Sequence, residues 1–175
     1  MIPKAAGWSA LLAIALPAFA ASAEDLATFL ASSQFAIIRS PDRVESLPVE
    51  SLADPAKDWS SGMKTSLPGS FRIIDEPIPV PKELAAPLAT LILNPASYES
   101  VYKLCIFEPG VAFRFWKGKE ALDVFLCFHC GDLGFQRVGA TTALGGKLSF
   151  DPVRSRLVGI VQAARPKDAR FRDLK

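Results

Sequence analysis

Apolar residues recur at every second position over 111–115 and again over 122–128, and Gly118-Lys119 interrupts the pattern. The alternation predicts strands at 111–116 and 121–128. The two-residue break predicts a tight hairpin, since glycine takes positive φ at little cost. That register sets Lys117 opposite Glu120, Phe115 opposite Leu122, Arg114 opposite Asp123 and Phe113 opposite Val124. Two opposite-charge pairs then face each other, each worth roughly 0.2–1 kcal/mol. A slip of one residue loses both and turns the apolar face outward. Val111, Phe113, Phe115, Leu122, Val124, Leu126 and Phe128 make one apolar face, expected to be core. Ala112, Arg114, Trp116, Ala121, Asp123, Phe125 and Cys127 make a mixed face, expected to be partly solvated or to lie under a loop or helix.

Elsewhere the pattern is shorter-ranged. Residues 24–33 predict a helix, with Leu26, Phe29 and Leu30 on one side and Glu24 and Asp25 in its first turn. Residues 35–39 predict a strand, Pro41-Asp42 a turn, and 44–49 an edge strand broken at Pro48. Residues 54–70 show no period and are rich in Ser, Gly, Pro, Lys and Asp, so they predict a long loop that Trp59 pins to the body. A short strand is expected at 71–74, and Pro77, Pro79 and Pro81 enforce an extended lead-in. Lys82–Leu93 predicts a helix burying Leu84, Leu88, Leu91 and Ile92, with a kink or late start at Pro87. Strands are expected at 103–107 and 133–138, and a flexible glycine loop at 141–147. Asp151 as N-cap and Pro152 as first residue open a last helix, and Val153, Leu157, Ile160 and Val161 form its stripe. Arg165-Pro166 ends it, and a charged, loosely attached tail follows.

The first 23 residues change the picture of address. Lys4, a short apolar run over 8–16, Pro17 and Ala21-Ser22-Ala23 predict a signal peptide, cleaved after Ala23 or, at a weaker site, after Ala20. The run is short for a membrane span. The 24–175 remainder is one domain's length. It carries 19 Lys and Arg against 18 Asp and Glu, a balance that gives no field for nucleic acid or anionic membrane. A periplasmic or secreted protein is expected.

All three cysteines and the single histidine fall within 105–132. In an oxidising compartment the first expectation is a disulfide between two of Cys105, Cys127 and Cys130, with the third free. The pairing stays open. The second reading is structural zinc at Cys105, Cys127 and Cys130, with Glu108 or Asp132 as a fourth ligand. The third is thiol–disulfide chemistry at Cys127 and Cys130; the helix N-terminus that lowers such a thiol's pKa is missing, since the motif ends a strand. His129 sits inside the Cys-x-x-Cys and reads as a turn residue.

Cys105-x-Phe107-x-Pro109-Gly110, Phe113-Arg114-Phe115, and Asp123-Val124-x-x-Cys127-Phe128-x-Cys130 together resemble the core of a family of uncharacterised bacterial proteins, many exported. Ser40-Pro41-Asp42-Arg43-Val44-Glu45, Lys103 and Phe150-Asp151-Pro152 are similar too. The resemblance covers 35 to the C-terminus. It implies the pattern and, since the family has no assigned activity, no chemistry.

One histidine between two cysteines gives no Ser-His-acid set, and no pair of acids stands out for glycosidic chemistry. The expected function is a non-enzymatic exported module, stabilised by a cysteine bridge. It would bind a protein or envelope partner through Arg114, Trp116, Asp123, Phe125 and Trp59, without cofactor unless zinc. The expected fold is α+β: a small antiparallel sheet centred on the 111–128 hairpin, with helices on one face.

Overall fold

The computed structural model describes residues 23–51, 71–101, 103–140 and 143–175. The predicted signal peptide, 1–23, as far as residue 22, the predicted 54–70 loop with Trp59, and Tyr102 fall outside them. The chain is mixed α+β, and the sheet is larger than the small one expected: among the described residues it has seven strands, all paired antiparallel. Helix α1 is Ala23–Ala31. The predicted strand at 35–39 is instead a 3-10 turn, Ser33–Phe35, and a short helix α2, Ala36–Arg39. Phe35, Ile37 and Ile38 are all buried there, and a helical turn buries three neighbours on one side where a strand would split them.

Strand β1, Arg43–Ser51, runs through Pro48 and lies inside the sheet, not at its edge. It has β4 (Val111–Lys117) on one side, and β2 (Phe71–Ile73) and β3 (Ile78–Pro79) share the other. β3 pairs with Glu45 and Ser46, and β2 with Val49 to Ser51. Pro48 falls at the changeover, where a missing N–H disrupts no ladder, and its carbonyl accepts from Ile74 N at 3.0 Å. From β4 the chain meanders through β5 (Glu120–Cys127), β6 (Asp132–Arg137) and β7 (Leu144–Ser149).

The β4–β5 register is the one the sequence predicts, Lys117↔Glu120 through Phe113↔Val124, with Gly118 at φ +56°. Of the two expected charge pairs, Arg114–Asp123 forms, at 2.7 Å. Lys117 instead donates to Ser40 O and Oγ, and Glu120 accepts from Arg137. The Pro41-Asp42 turn explains the exchange. Asp42 accepts from Gly118 N and donates its own N–H to Trp116 O, which brings Ser40 onto the hairpin tip.

Segment 103–107 forms no strand, and residues 144–147 of the expected glycine loop belong to β7, while 141 and 142 lie outside the described residues. Gly145 takes φ +68°, and a Cβ there would stand 2.6 Å from the ring of Phe29, so glycine admits α1 against the strand.

Helix α3, Lys82–Leu93, continues through Pro87 without the late start. Helix α4, Arg154–Ala164, follows a 3-10 turn at Asp151–Val153. Asp151 does not cap it by a side-chain bond and faces Lys103 and Arg154 instead. One buried cluster joins Phe113, Phe115, Leu122, Val124, Leu126 and Phe135 of the sheet to Phe35, Leu88, Leu91, Leu157 and Val161 of the helices. The tail is held more firmly than expected, because Phe171, in the short helix α5 (Ala169–Arg172), belongs to that cluster.

Asp168 caps α5, accepting from Arg170 N at 3.1 Å. The Arg170 guanidinium first, then the Arg170 N–H and Arg165, hold its carboxyl at about 2 against burial, below the ordinary 3.8. The folded value is the lower one, so this stabilisation is complete above about pH 4 and is lost as pH falls through about 2. Between pH 5 and pH 2, Asp168→Asn is expected to lose melting temperature less steeply than the wild type. Parallel curves would contradict that assignment.

Candidate functional site

Two neighbouring sites lie on the mixed face of the hairpin and at its open end. Outer-face side chains line up in rows across the strands, because paired residues in a sheet share a face. Glu45, Arg114, Asp123 and Gln136 form one row across β1, β4, β5 and β6. Leu47, Ala112, Phe125 and Gly134 form the next. Gly134 carries no side chain beside Phe125, which leaves room above β6. Phe71 of β2 leans over from the opposite side, its ring 5.2 Å from that of Phe125 and 6.1 Å from that of Phe107.

Between these walls lies an open cleft of about 450 Å³. Leu47, Val49, Phe71, Ile73, Phe125 and Val138 give it apolar surface, and Arg114, Asp123 and Gln136 give it a polar end. The turn at Gly139 and Ala140 forms its rim. Arg114 donates from Nε and Nη2 to the two carboxylate oxygens of Asp123 at 2.7 and 2.8 Å. The hydrogen bonds to Asp123 hold its guanidinium above the ordinary arginine value, against burial. The pair is geometrically fixed and mostly covered, the two side chains being 17% and 10% exposed. It forms a rigid polar floor. Gln136 is fixed as well, its Nε2 donating to Ala140 O at 2.7 Å.

Arg114, Asp123 and Phe125 of the sequence-derived face therefore meet at the cleft. Trp116 shares the face without lining the cleft. Its Nε1 donates to Glu45 Oε2 at 2.7 Å, and Arg43 lies over its ring, 4.2 Å from the centroid. The sequence reading missed Phe71, Ile73, Gln136 and Val138. The alternation in β6 marks Gln136 as facing with Asp123 once that pairing is known, but nothing local brings β2 to the same surface.

The cysteines settle at the hairpin's open end. Cys105 and Cys130 are joined in a disulfide, Cα atoms 5.8 Å apart, and Cys127 is free and buried. The zinc reading needs three thiolates at Cys105, Cys127 and Cys130, and two of those sulfurs are bonded to each other. Glu108 and Asp132 complete no set either: among the described residues no group of three His, Cys, Asp or Glu side chains is placed to hold a metal. The bond formed is Cys105–Cys130, not the Cys127–Cys130 bond of the third, thiol–disulfide reading. His129 is exposed in the turn. Cys127, Cys130, Phe107, Ala112, Phe125, Leu47 and Val49 form the second buried cluster, which continues under the cleft.

Lys103 ties this end together. Its Nζ donates to Cys130 O at 2.9 Å, to Ser149 Oγ at 2.8 Å and to Asp151 Oδ2. Arg154 donates to Asp151 Oδ1 at 2.7 Å and to Phe128 O. Against burial, which pushes it up, the hydrogen bonds from Lys103 and Arg154 hold Asp151 below the usual carboxylate range. Burial raises Asp132, opposed by Lys103 3.9 Å away. Lys103 and Asp151 thus clasp each other beside the bridge. Gly131, at φ +71°, admits Asp151, since a Cβ there would stand 2.1 Å from Oδ1.

A separate crevice of about 460 Å³ runs between α2, β1 and α3, with alanines of α3 as one wall and Arg39, Asp42, Arg43 and Lys82 at its rim. It holds no residue of the sequence-derived site. No family model, no curated protein and no solved structure matches the chain. Among the described residues no helix is long and apolar enough to cross a membrane.

Proposed function

We propose that the chain is an exported, non-enzymatic binding module, held by its disulfide, and that the outer-face cleft is its binding surface. One observation carries this reading: a concave surface of about 450 Å³, part apolar and part polar, with a fixed ion pair in its floor. Sites for small or extended ligands have that size and make-up. The Arg114–Asp123 pair and Gln136 are rigid before anything binds, which lowers the ordering cost of association. Ile73 and Val138, both lining the cleft, leave 42% and 44% of their surface in water. The partner's chemistry that fits is an apolar group bearing a neutral hydrogen-bonding end, as an envelope peptide or acyl conjugate offers. Arg114 is balanced by Asp123, and Arg137, which also lines the cleft, by Glu120. The resemblance to exported bacterial proteins and the leader-like first 23 residues support an envelope setting.

A photo-crosslinking residue at position 138 tests this. In cell-envelope extract it is expected to give a discrete adduct that Ile73→Glu abolishes. The same residue at exposed position 156, on α4, serves as control. Equal adducts from both positions, or an adduct indifferent to Ile73→Glu, would remove the cleft as the binding surface.

A further inference from the structure

The free cysteine and one cysteine of the bridge share a single turn, and that placement carries the inference. Cys127 closes β5, and the turn that follows is fastened by Gly131 N donating to Cys127 O at 2.8 Å. The turn folds Cys130 back so that its N–H points at Cys127 Sγ, 3.4 Å away. Cys127 is fully buried.

We propose that Cys127, Cys130 and Cys105 form a thiol–disulfide exchange unit. The Cys127 thiolate attacks Cys130 Sγ; the Cys127–Cys130 bond forms as the Cys105–Cys130 bond breaks. The departing Cys105 sulfur takes up the proton that Cys127 gives up, so the thiol hydrogen passes from Cys127 to Cys105 over the step. One disulfide and one thiol stand on each side of the step, so neither oxidant nor reductant is consumed.

The exchange moves the free thiol from the interior to the surface. Cys105 is partly exposed, between Leu104 at 90% and Ile106 at 51% exposure. Its segment stays in place when the bridge moves. Lys103 holds it on one side through Cys130 O, Ser149 and Asp151, and Phe107, 3% exposed, holds it on the other. The outcome is a reactive sulfur on a tethered, apolar-flanked segment. Such a thiol attacks an accessible disulfide on another molecule by the same chemistry, which makes exposed disulfides its substrate class.

Wild-type protein treated under native conditions with N-ethylmaleimide, then digested without reduction and mapped by mass spectrometry, tests the step. The expected product carries maleimide on Cys105, and its 120–137 peptide is internally bridged and lighter by two hydrogens. It should form faster than the protein unfolds globally by amide hydrogen exchange. Label on Cys127 with the original bridge intact, labelling no faster than unfolding, or no label, overturns the proposal. Cys127→Ser is expected to abolish labelling at Cys105 entirely; labelling of that variant at the wild-type rate would also overturn it. Cys105→Ser, where it folds, should close Cys127–Cys130 in air, and two free thiols in that folded variant would count against the unit. Where it does not fold, the wild-type mapping decides.

Discussion

Arg165→Met is expected to destabilise the fold by about 3–5 kcal/mol, the usual cost of removing one side of a buried charged network. Arg165 ends α4 and is 2% exposed. Its Nε donates to Ser46 Oγ at 3.0 Å, and its Nη2 to Ser46 O and Glu76 O, both at 2.8 Å. Nη1 reaches Asp168 at 3.3 Å. One planar fork therefore joins the end of a helix, the inner face of β1 and the chain leading into β3. Burial lowers the guanidinium's pKa, with Asp168 opposing. Methionine fills the stem's volume and leaves the Ser46 hydroxyl and two carbonyls without these donors, each worth about 1–3 kcal/mol if left unsatisfied. Arg165→Lys should recover little, because an ammonium lacks the fork. Urea titration checks both. A loss under about 1 kcal/mol for the methionine variant would show that the network is dispensable.

Cys130→Ala is expected to cost about 3.5 kcal/mol under non-reducing conditions, the chain-entropy value for a loop of 25 residues. Cys127→Ala leaves the bridge intact and should cost roughly 1 kcal/mol, as a modest buried truncation. The contrast separates the two cysteines of one Cys-x-x-Cys. The Lys103 clasp and Phe107 hold the bridged segment independently, so Cys130→Ala should still fold. Equal losses for the two variants, measured by thermal melting with and without reductant, would mean that the 105–130 bridge is not what stabilises this end.

Much of the fold was legible because its signals are local. Gly118 and the alternation on either side fix the hairpin, its register and its two faces. The stripe through Val153, Leu157, Ile160 and Val161 marks α4, and Arg165-Pro166 stops it. Misreadings cluster where the deciding partner is distant. Pro48 looks like a strand breaker until β2 and β3 are seen to share one side of β1. Phe35 to Arg39 have β-branched residues and strand-like looks, and only the core contacts of Phe35, Ile37 and Ile38 make them helical. Gly145-Gly146 reads as a loop unless Phe29 is known to press on it. Asp151 has the composition of a cap, but Lys103, 48 residues earlier, takes its carboxylate.

The candidate site divides the same way. Arg114, Asp123 and Phe125 share a face by period alone, since neighbouring residues in a strand point to opposite sides and every second one returns. What stands across from that face is invisible to the period, so the cleft with Phe71, Ile73 and Val138 needed β2 and the 137–140 turn in place. The cysteine pairing is the sharpest case. Spacing names three sulfurs and allows three pairings, whereas the disulfide requires two Cα atoms to come within a few ångström, a distance set by how the 103–107 segment crosses the end of the sheet. Alternation and turn chemistry act over a few residues and are written in the chain; closure between Cys105 and Cys130 is a property of the packed molecule.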